Sequence, residues 1–460
     1  MKILQVVHYF LPRHQAGTEI YTLELAQALA QENTVQIFTG EDLVPKKARF
    51  EIKDDIYDGL KVRRLAHPGP RDFHSSYDDP EFNYVFGDML DEYQPDVVHF
   101  QHLYRLSIGF IQEATRRHIP AILTLPDYWF LCPPIIMLRP GFEICPGPER
   151  GERCVSCPNA IGKFYAGDVP SFMIGIENLG NRIKAAGHAF KRNLPPSWVS
   201  ILRRLTGQGK TEAERRGLLT TRFEAMRTAL DKLDLIIAPS QFLRQKMIQG
   251  GLARPDRIIH SDYGFSSLPS LPLPKKEKGV FRFGFIGTMV EHKGLHVAIQ
   301  AMNRLVDVHA ELVIHGDEKI FPGYVRGLRR VAKNPGIRFA GRFEHNRIGE
   351  ILSGLDALLV PSLWYENSPL TIHEAFLAGI PVITSNLGGM AELVRNRVNG
   401  ILFQAGDPED LARAMKQMIS EPGLTEKLKA GIPKVKTMDE NVKELTEIYK
   451  RLSTGSVRHD

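Results

Sequence analysis

Short apolar runs alternate with amphipathic stretches along the first half of the chain. ILQVVHYF (3–10), TVQIFTG (34–40), KVRRLA (61–66), DVVHFQH (96–102) and AILTLP (121–126) are rich in Val, Ile and Leu, as strands buried on both faces are. Between the first two, residues 19–30 carry apolar positions at helical spacing. DLIIAPS (234–240) and RIIHSDYG (257–264) continue the series further along. Alternating strand and helix signals predict a parallel sheet with right-handed crossovers.

The composition then shifts. Residues 266–278, SSLPSLPLPKKEK, are rich in Pro, Ser and Lys and predict an extended linker over 266–279. Beyond it the alternation restarts: FRFGFIG, AELVIHG, GIRFAG, ALLVPS, PVITS and GILF read as strands with helices between them. The expected organisation is two α/β blocks, 1–265 and 280–436, followed by an amphipathic helix and tail over 437–460. A chain of 460 residues, 43% apolar and 24% charged, suits two or three domains of an ordinary soluble protein.

The opening MKILQVVHYF reads as a first strand rather than a signal peptide, and no apolar run reaches the roughly 18 residues of a membrane span. A cytoplasmic location is expected. The formal net charge is +6, and residues 161–220 hold ten Lys/Arg against four acidic residues. Such an insertion attracts anionic partners and suits peripheral contact with an anionic membrane, at the inner face; a solvated helical face is the equal alternative. Nucleic acid is not an expected partner, because no recognition motif accompanies the charge.

All four cysteines, Cys132, Cys145, Cys154 and Cys157, fall in one Pro- and Gly-rich stretch. Cys154-x-x-Cys157 has the spacing of half a zinc knuckle, so the four are candidate ligands of a structural zinc. Reduced or reversibly paired thiols are the other reading.

The densest chemistry lies in 361–379, PSLWYENSPLTIHEAFLAG, where Glu366 and Glu374 bracket seven residues. The first follows a strand in a loop, and the second falls in the next helix. Asn367-Ser368-Pro369 reads as a helix start, with a capping side chain and a proline near the first turn. A helix N-terminus there offers free N–H groups and a positive dipole end to a phosphate.

This stretch resembles the Glu-x7-Glu signature of retaining family-4 (group 1) glycosyltransferases of the GT-B fold. The likeness runs through 280–410. Residues 285–294, FIGTMVEHKG, resemble the family's first-strand loop, and His315-Gly316-Asp317 its second-strand Gly-Asp. Gly341-Arg342, the Gly388-Gly389-Met390-Ala391-Glu392 turn and Asn399-Gly400 follow in order. In the first half the likeness is looser: YFLPRHQAGTE (9–19), DVVHFQH and LTLPDYWFLCP (123–133) resemble acceptor-side segments.

The resemblance implies two facing Rossmann-like domains with a cleft between them, and a C-terminal helix that returns to the first. It implies sugar transfer from a nucleotide-diphosphate sugar to a carbohydrate or lipid-linked acceptor, in cell-surface polysaccharide or glycolipid synthesis. Lys293 would then be the diphosphate cation and Glu366 the group orienting the donor sugar, both at the cleft surface. Glu374 would take the ribose. Gly17, Gly287, Thr288, Arg342, Asn367, Ser368, Pro369 and Leu370 would surround the donor. The base is not distinguished, although loop 342–345 is placed to touch it. The absence of an Asp-x-Asp after a strand fits a reaction without a catalytic metal.

Two departures stand out. Thr288 replaces a common Arg, which removes one diphosphate cation. Pro126 replaces a common His, and His102 and Asp127 are the residues that can take its place. His99 reads equally well as a packed strand residue. A dinucleotide dehydrogenase is excluded, since no Gly-x-Gly-x-x-Gly opens a helix. A GT-B-type epimerase or phosphorylase, and a non-catalytic sugar-nucleotide-binding partner of another transferase, are the alternatives.

Overall fold

The computed structural model describes residues 1–42, 49–67, 69–157, 160–161, 211–268, 279–306 and 308–454. Most of the basic insertion (162–210) and the middle of the linker (269–278) lie outside the described residues.

Eight strands form the first sheet: β1 (Lys2–Val7), β2 (Thr34–Glu41), β3 (Ile52–Tyr57), β4 (Leu60–Ala66), β5 (Val97–Phe100), β6 (Ala121–Thr124), β7 (Leu235–Ala238) and β8 (Ile258–His260). Their order is β3-β4-β2-β1-β5-β6-β7-β8. Every neighbouring pair is parallel except β3 and β4. The inner strands β5, β6 and β7 are buried at every position, which explains their uninterrupted apolar runs.

The β3–β4 hairpin carries a signal the periodicity does not show. Asp58 and Gly59 both sit at positive φ (48° and 81°), as a two-residue primed turn needs. Strand β3 itself is an exposed edge, and Arg63 of β4 pairs across it to Asp54 at 2.8 Å.

Six strands, all parallel, form the second sheet: β9 (Phe281–Ile286), β10 (Ala310–His315), β11 (Ile337–Gly341), β12 (Ala357–Val360), β13 (Val382–Ser385) and β14 (Gly400–Phe403). Their order, β11-β10-β9-β12-β13-β14, is that of a doubly wound sheet. The order reverses between β9 and β12, and ligands of such sheets bind beyond the strand ends there.

The two lobes share one apolar cluster, in which Ile3, Leu25 and Val97 of the first meet Leu358, Ile372 and Val382 of the second. The last helix, Met438–Ser453, starts from a capping box at Thr437 and crosses back onto the first lobe. There Tyr449, fully buried, places its hydroxyl 2.6 Å from His99 Nδ1, and Asn441 donates to the Tyr21 hydroxyl at 2.8 Å. His99 also meets Thr124 at 2.8 Å, and burial pulls its pKa down to about 3. It is therefore a neutral packing residue, not a cleft group. Among the described residues no helix is long and apolar enough to cross a membrane.

Candidate functional site

The loops after β9 and β12 are stitched together at the switch point. Gly294 sits at φ 72°, and a Cβ there would stand 1.8 Å from the Pro361 carbonyl oxygen, so only glycine lets the loops approach this closely. The Leu363 N–H donates to the His292 carbonyl at 2.8 Å. That contact delivers Lys293 to Glu366: Nζ lies 2.6 Å from Oε1 and 5.5 Å from the centre of the Trp364 ring. The same oxygen accepts from Ser362 Oγ (2.6 Å) and Trp364 Nε1 (3.0 Å). Among the described residues, Oε2 of Glu366 receives no hydrogen bond.

Burial alone would raise the Glu366 pKa. The charge and hydrogen bond of Lys293, with Ser362 and His292, overcome this and hold the carboxyl below its ordinary value. Glu366 is only 6% exposed, and Ser362 and Trp364 close over its Oε1.

Glu374, in the helix Leu370–Leu377, contrasts with it. It is 5% exposed and has no Lys or Arg paired with it among the described residues, and burial, with the charge of Glu24 from the first lobe, pushes its pKa up to about 8. His345 Nε2 stands 3.4 Å from its Oε1, but burial lowers that imidazole too. At neutral pH both are largely uncharged, so the contact is not an ion pair.

The expected helix cap is not formed. Pro369 occupies the N-cap position and no side chain caps the helix. Ser368 instead donates to Asp262 Oδ1 and meets His373 Nε2, both at 2.7 Å. The Asn367 side chain turns into the first lobe, where Nδ2 donates to the Leu125 carbonyl at 2.9 Å. Among the described residues the first N–H groups of this helix therefore have no side-chain cap.

Other expected donor residues also meet across the cleft. Gly17 opens the helix Gly17–Leu29, and a Cβ there would lie 3.2 Å from Leu370 Cδ1. Arg342 reaches Gln15 Oε1 at 2.9 Å. Thr288 is exposed, and a Cβ on Gly287 would meet nothing within 4 Å, which leaves open space at the end of β9. A cavity of about 990 Å³ adjoins the β12 loop at Leu363 and brings Phe142 of the first lobe towards His296 and Asn386 of the second.

On the first lobe, His102 is 2% exposed and both of its nitrogens are engaged. Nδ1 accepts from the Leu103 N–H (3.1 Å), so Nε2 carries the proton that faces Asp127 Oδ2 at 3.0 Å. The imidazole therefore orients Asp127 and has no nitrogen free for a substrate. Asp127 keeps part of its carboxylate open, at 19% side-chain exposure.

Ser362, His345 and Glu24 join the site without having been singled out, although Ser362 and His345 lie inside the quoted segments. Asp262 carries no signal in the sequence.

The four cysteines converge on one packed region without forming a ligand set. All are free thiols; Cys132 and Cys154 belong to the first lobe's core, with Cys145 and Cys157 packed against it. Among the described residues, no three of their sulfurs lie within 4.8 Å of one another. Burial pushes the Cys154 thiol up to about 12 and raises Cys132 as well, so neutral thiols are the form this packing favours. His14, Glu41 and Asp42 do gather ligand atoms within 4.8 Å. Arg13, 2.9 Å from Glu41, and Arg105, 3.5 Å from Asp42, already supply cations there.

Comparisons with known proteins follow this geometry. A family profile described as glycosyl transferases group 1 matches residues 280–421, and one described as glycosyltransferase family 4 matches 16–135. An uncharacterised glycosyltransferase of Methanocaldococcus jannaschii is 28% identical over 176 residues, 36% of this chain and 44% of that one. The lipopolysaccharide core biosynthesis glycosyltransferase LpsE of Rhizobium meliloti is 30% identical over 149 residues, 31% of this chain and 41% of that one. The matched stretches thus span less than half the length of these curated relatives. The crystal structure of Anabaena HepE in complex with UDP and glucose superposes with a TM-score of 0.63 at 16% identity, covering 98% of this chain and 99% of that one. With one profile on each lobe, and the two together spanning more than half of the sequence, the chain belongs to the group 1, or family 4, glycosyltransferases of the GT-B fold.

Proposed function

We propose that this chain moves a sugar from a nucleotide-diphosphate sugar to a carbohydrate or lipid-linked acceptor, with retention, in cell-surface polysaccharide or glycolipid synthesis. The observation that carries the reading is the Lys293–Glu366 pair, 2.6 Å apart at the switch point of the second sheet. Breaking a sugar–diphosphate bond develops positive charge on the sugar ring and negative charge on the departing phosphate. The pair offers one charge to each. Lys293 is drawn to the diphosphate, and Glu366 offers Oε2 to the sugar hydroxyls.

Three donors on Oε1 make Glu366 a weak nucleophile, so its role is to orient and stabilise. Glu374, buried without a cation, accepts the ribose diol. Gly17, Gly287, Thr288, Arg342 and the backbone of 367–370 line the donor. Asp127, held by His102, faces the acceptor, and the two residues fill the place of the imidazole that Pro126 removes. The lobe of 1–265 takes the acceptor and that of 280–436 the donor. The likeness to LpsE, a lipopolysaccharide core biosynthesis glycosyltransferase, and to HepE, whose structure holds UDP and glucose, supports this substrate class.

A screen of UDP-, ADP- and GDP-sugars by thermal shift tests the donor, since a ligand of the folded state raises its stability. One series is expected to raise Tm and then to release nucleotide when an acceptor is added. No shift with any donor would refute the reading. A shift without nucleotide release would favour the non-catalytic binding partner, which Pro126 and the exposed Thr288 recommend. We place the chain in the cytoplasm, touching the inner membrane face through 160–220; failure to sediment with anionic vesicles at low salt would remove that contact.

A further inference from the structure

We propose that the Asn367 amide is the positioning residue that sets the register of the two lobes and so holds Glu366 against Asp127. The kinetic part of this proposal rests on the transfer reading above; the structural part does not.

Asn367 is 6% exposed and follows Glu366 directly. Its partners all belong to the other lobe. Nδ2 donates to the carbonyls of Leu125 (2.9 Å) and Pro126 (3.3 Å), and Oδ1 accepts from Ser240 Oγ (2.6 Å). Two carbonyls against one end of the amide fix its orientation, because a flipped group would set oxygen against oxygen. Leu125 and Ser240 stand just past β6 and β7, so the amide is plugged into the C-terminal edge of the first sheet.

Ser240 has no spare capacity to release it. Its hydroxyl gives its one proton to Asn367 and accepts from the Leu243 N–H at 3.1 Å, capping the helix Gln241–Gln249. The second-lobe end is equally rigid. The Gly389 N–H holds the Glu366 carbonyl at 2.9 Å, and a Cβ on Gly389 would stand 1.4 Å from the Asn367 carbonyl oxygen. A second bridge runs alongside, where the Glu392 carboxylate accepts from the N–H groups of Gln241 (2.7 Å) and Phe242 (2.9 Å).

The path from one carboxylate to the other is therefore short: Glu366, the Asn367 side chain, the Pro126 carbonyl, Asp127. Every link is buried or clamped. No other side chain of this size supplies two donors and an acceptor. Aspartate would turn an oxygen onto two carbonyls, and alanine would strand Leu125, Pro126 and Ser240. With its hydrogen bonds directed to the first lobe, the side chain is a poor candidate for donor binding, and any donor contact at 367 falls to the backbone.

The test uses the full chain with Asn367→Asp, Asn367→Ala and Ser240→Ala. UDP affinity by calorimetry, kcat, and the radius of gyration by small-angle scattering with and without UDP are measured for each. Asn367→Asp is expected to lower kcat about 100-fold, the scale of a misplacement near 1 Å, with the UDP Kd within about 3-fold and a larger radius of gyration. Ser240→Ala, which deletes a single bond and keeps Asn367, is expected to fall between that variant and wild type. Parallel loss of UDP affinity and kcat would overturn the proposal and make Asn367 a donor ligand; unchanged kcat and scattering would overturn it too. If the wild type turns over no donor, the transfer reading fails, and the scattering comparison still decides the register.

Discussion

The two lobes finish their sheets in different ways. In the first, the carboxylates beyond the strand ends have close partners, Asp127 in His102, Asp42 in Tyr9 at 2.6 Å and Glu19 in the Ala16 N–H at 3.0 Å, although Asp42 Oδ1 and Glu41 Oε1 stay buried without a hydrogen bond among the described residues. In the second, Glu366 is held by Lys293 and keeps one oxygen unbonded among the described residues, and Glu374 has only His345 near it, at 3.4 Å. A buried polar group without a partner costs free energy until something fills it. In the proposed reading the donor fills the open oxygens of the second lobe, and the first presents Asp127 to the acceptor.

Variants that treat the lobes unequally test this difference. Lys293→Ala should have the largest effect, a loss of transfer of about 10³-fold, or about 4 kcal/mol of transition-state stabilisation. It should also cost stability, about 1–3 kcal/mol, since Glu366 would be left buried without its cation. Denaturant titration beside initial rates checks both, and an unchanged folding midpoint would show that the pair is not the buried contact described above.

Asp127→Asn, on the first lobe, should lower kcat about 100-fold and leave donor affinity alone, as expected for one proton-transfer group. Weaker donor binding in this variant, measured by calorimetry, would erase the division of labour between the lobes.

Glu374→Gln should have the smallest effect and the clearest pH signature. The folded pKa of Glu374 lies near 8, above its ordinary 4.5, so the unfolded chain binds fewer protons between those values. Its contribution to stability is therefore complete below the lower value and falls as pH rises through the upper one, by up to about 1.4 kcal/mol per unit. The variant should flatten this slope of Tm against pH. Nucleotide affinity in the wild type should rise towards pH 8, as the carboxylate that accepts the ribose hydroxyls forms. A slope that survives in Glu374→Gln would assign the titration to another group.

The second lobe was the more legible in sequence, for a physical reason. Joining two strand-end loops and a buried ion pair demands particular residue types at fixed spacings, such as Gly294 beside Lys293, or Glu366 a strand-end loop away from Glu374. The inner strands β5, β6, β7, β12 and β13 showed as apolar runs because they are buried on both faces. The β3–β4 hairpin did not, because β3 faces solvent and only Asp58-Gly59 marked the turn. One expectation failed at the seam between the lobes. Asn367 looked like a cap because a helix start and a bridge to a neighbouring lobe use the same short amide. Zinc ligation was suggested by cysteine spacing, and no three of the sulfurs gather within ligand distance among the described residues, while burial raises the thiols of Cys132 and Cys154.

The helix Met438–Ser453 lays Tyr449 against His99 and Asn441 against Tyr21. The first lobe is thus completed by a helix that follows the second in sequence. During synthesis, the face of the first sheet around His99 stays without this cover until the second lobe has been made, so a chaperone that shields this face early should raise the yield of folded protein.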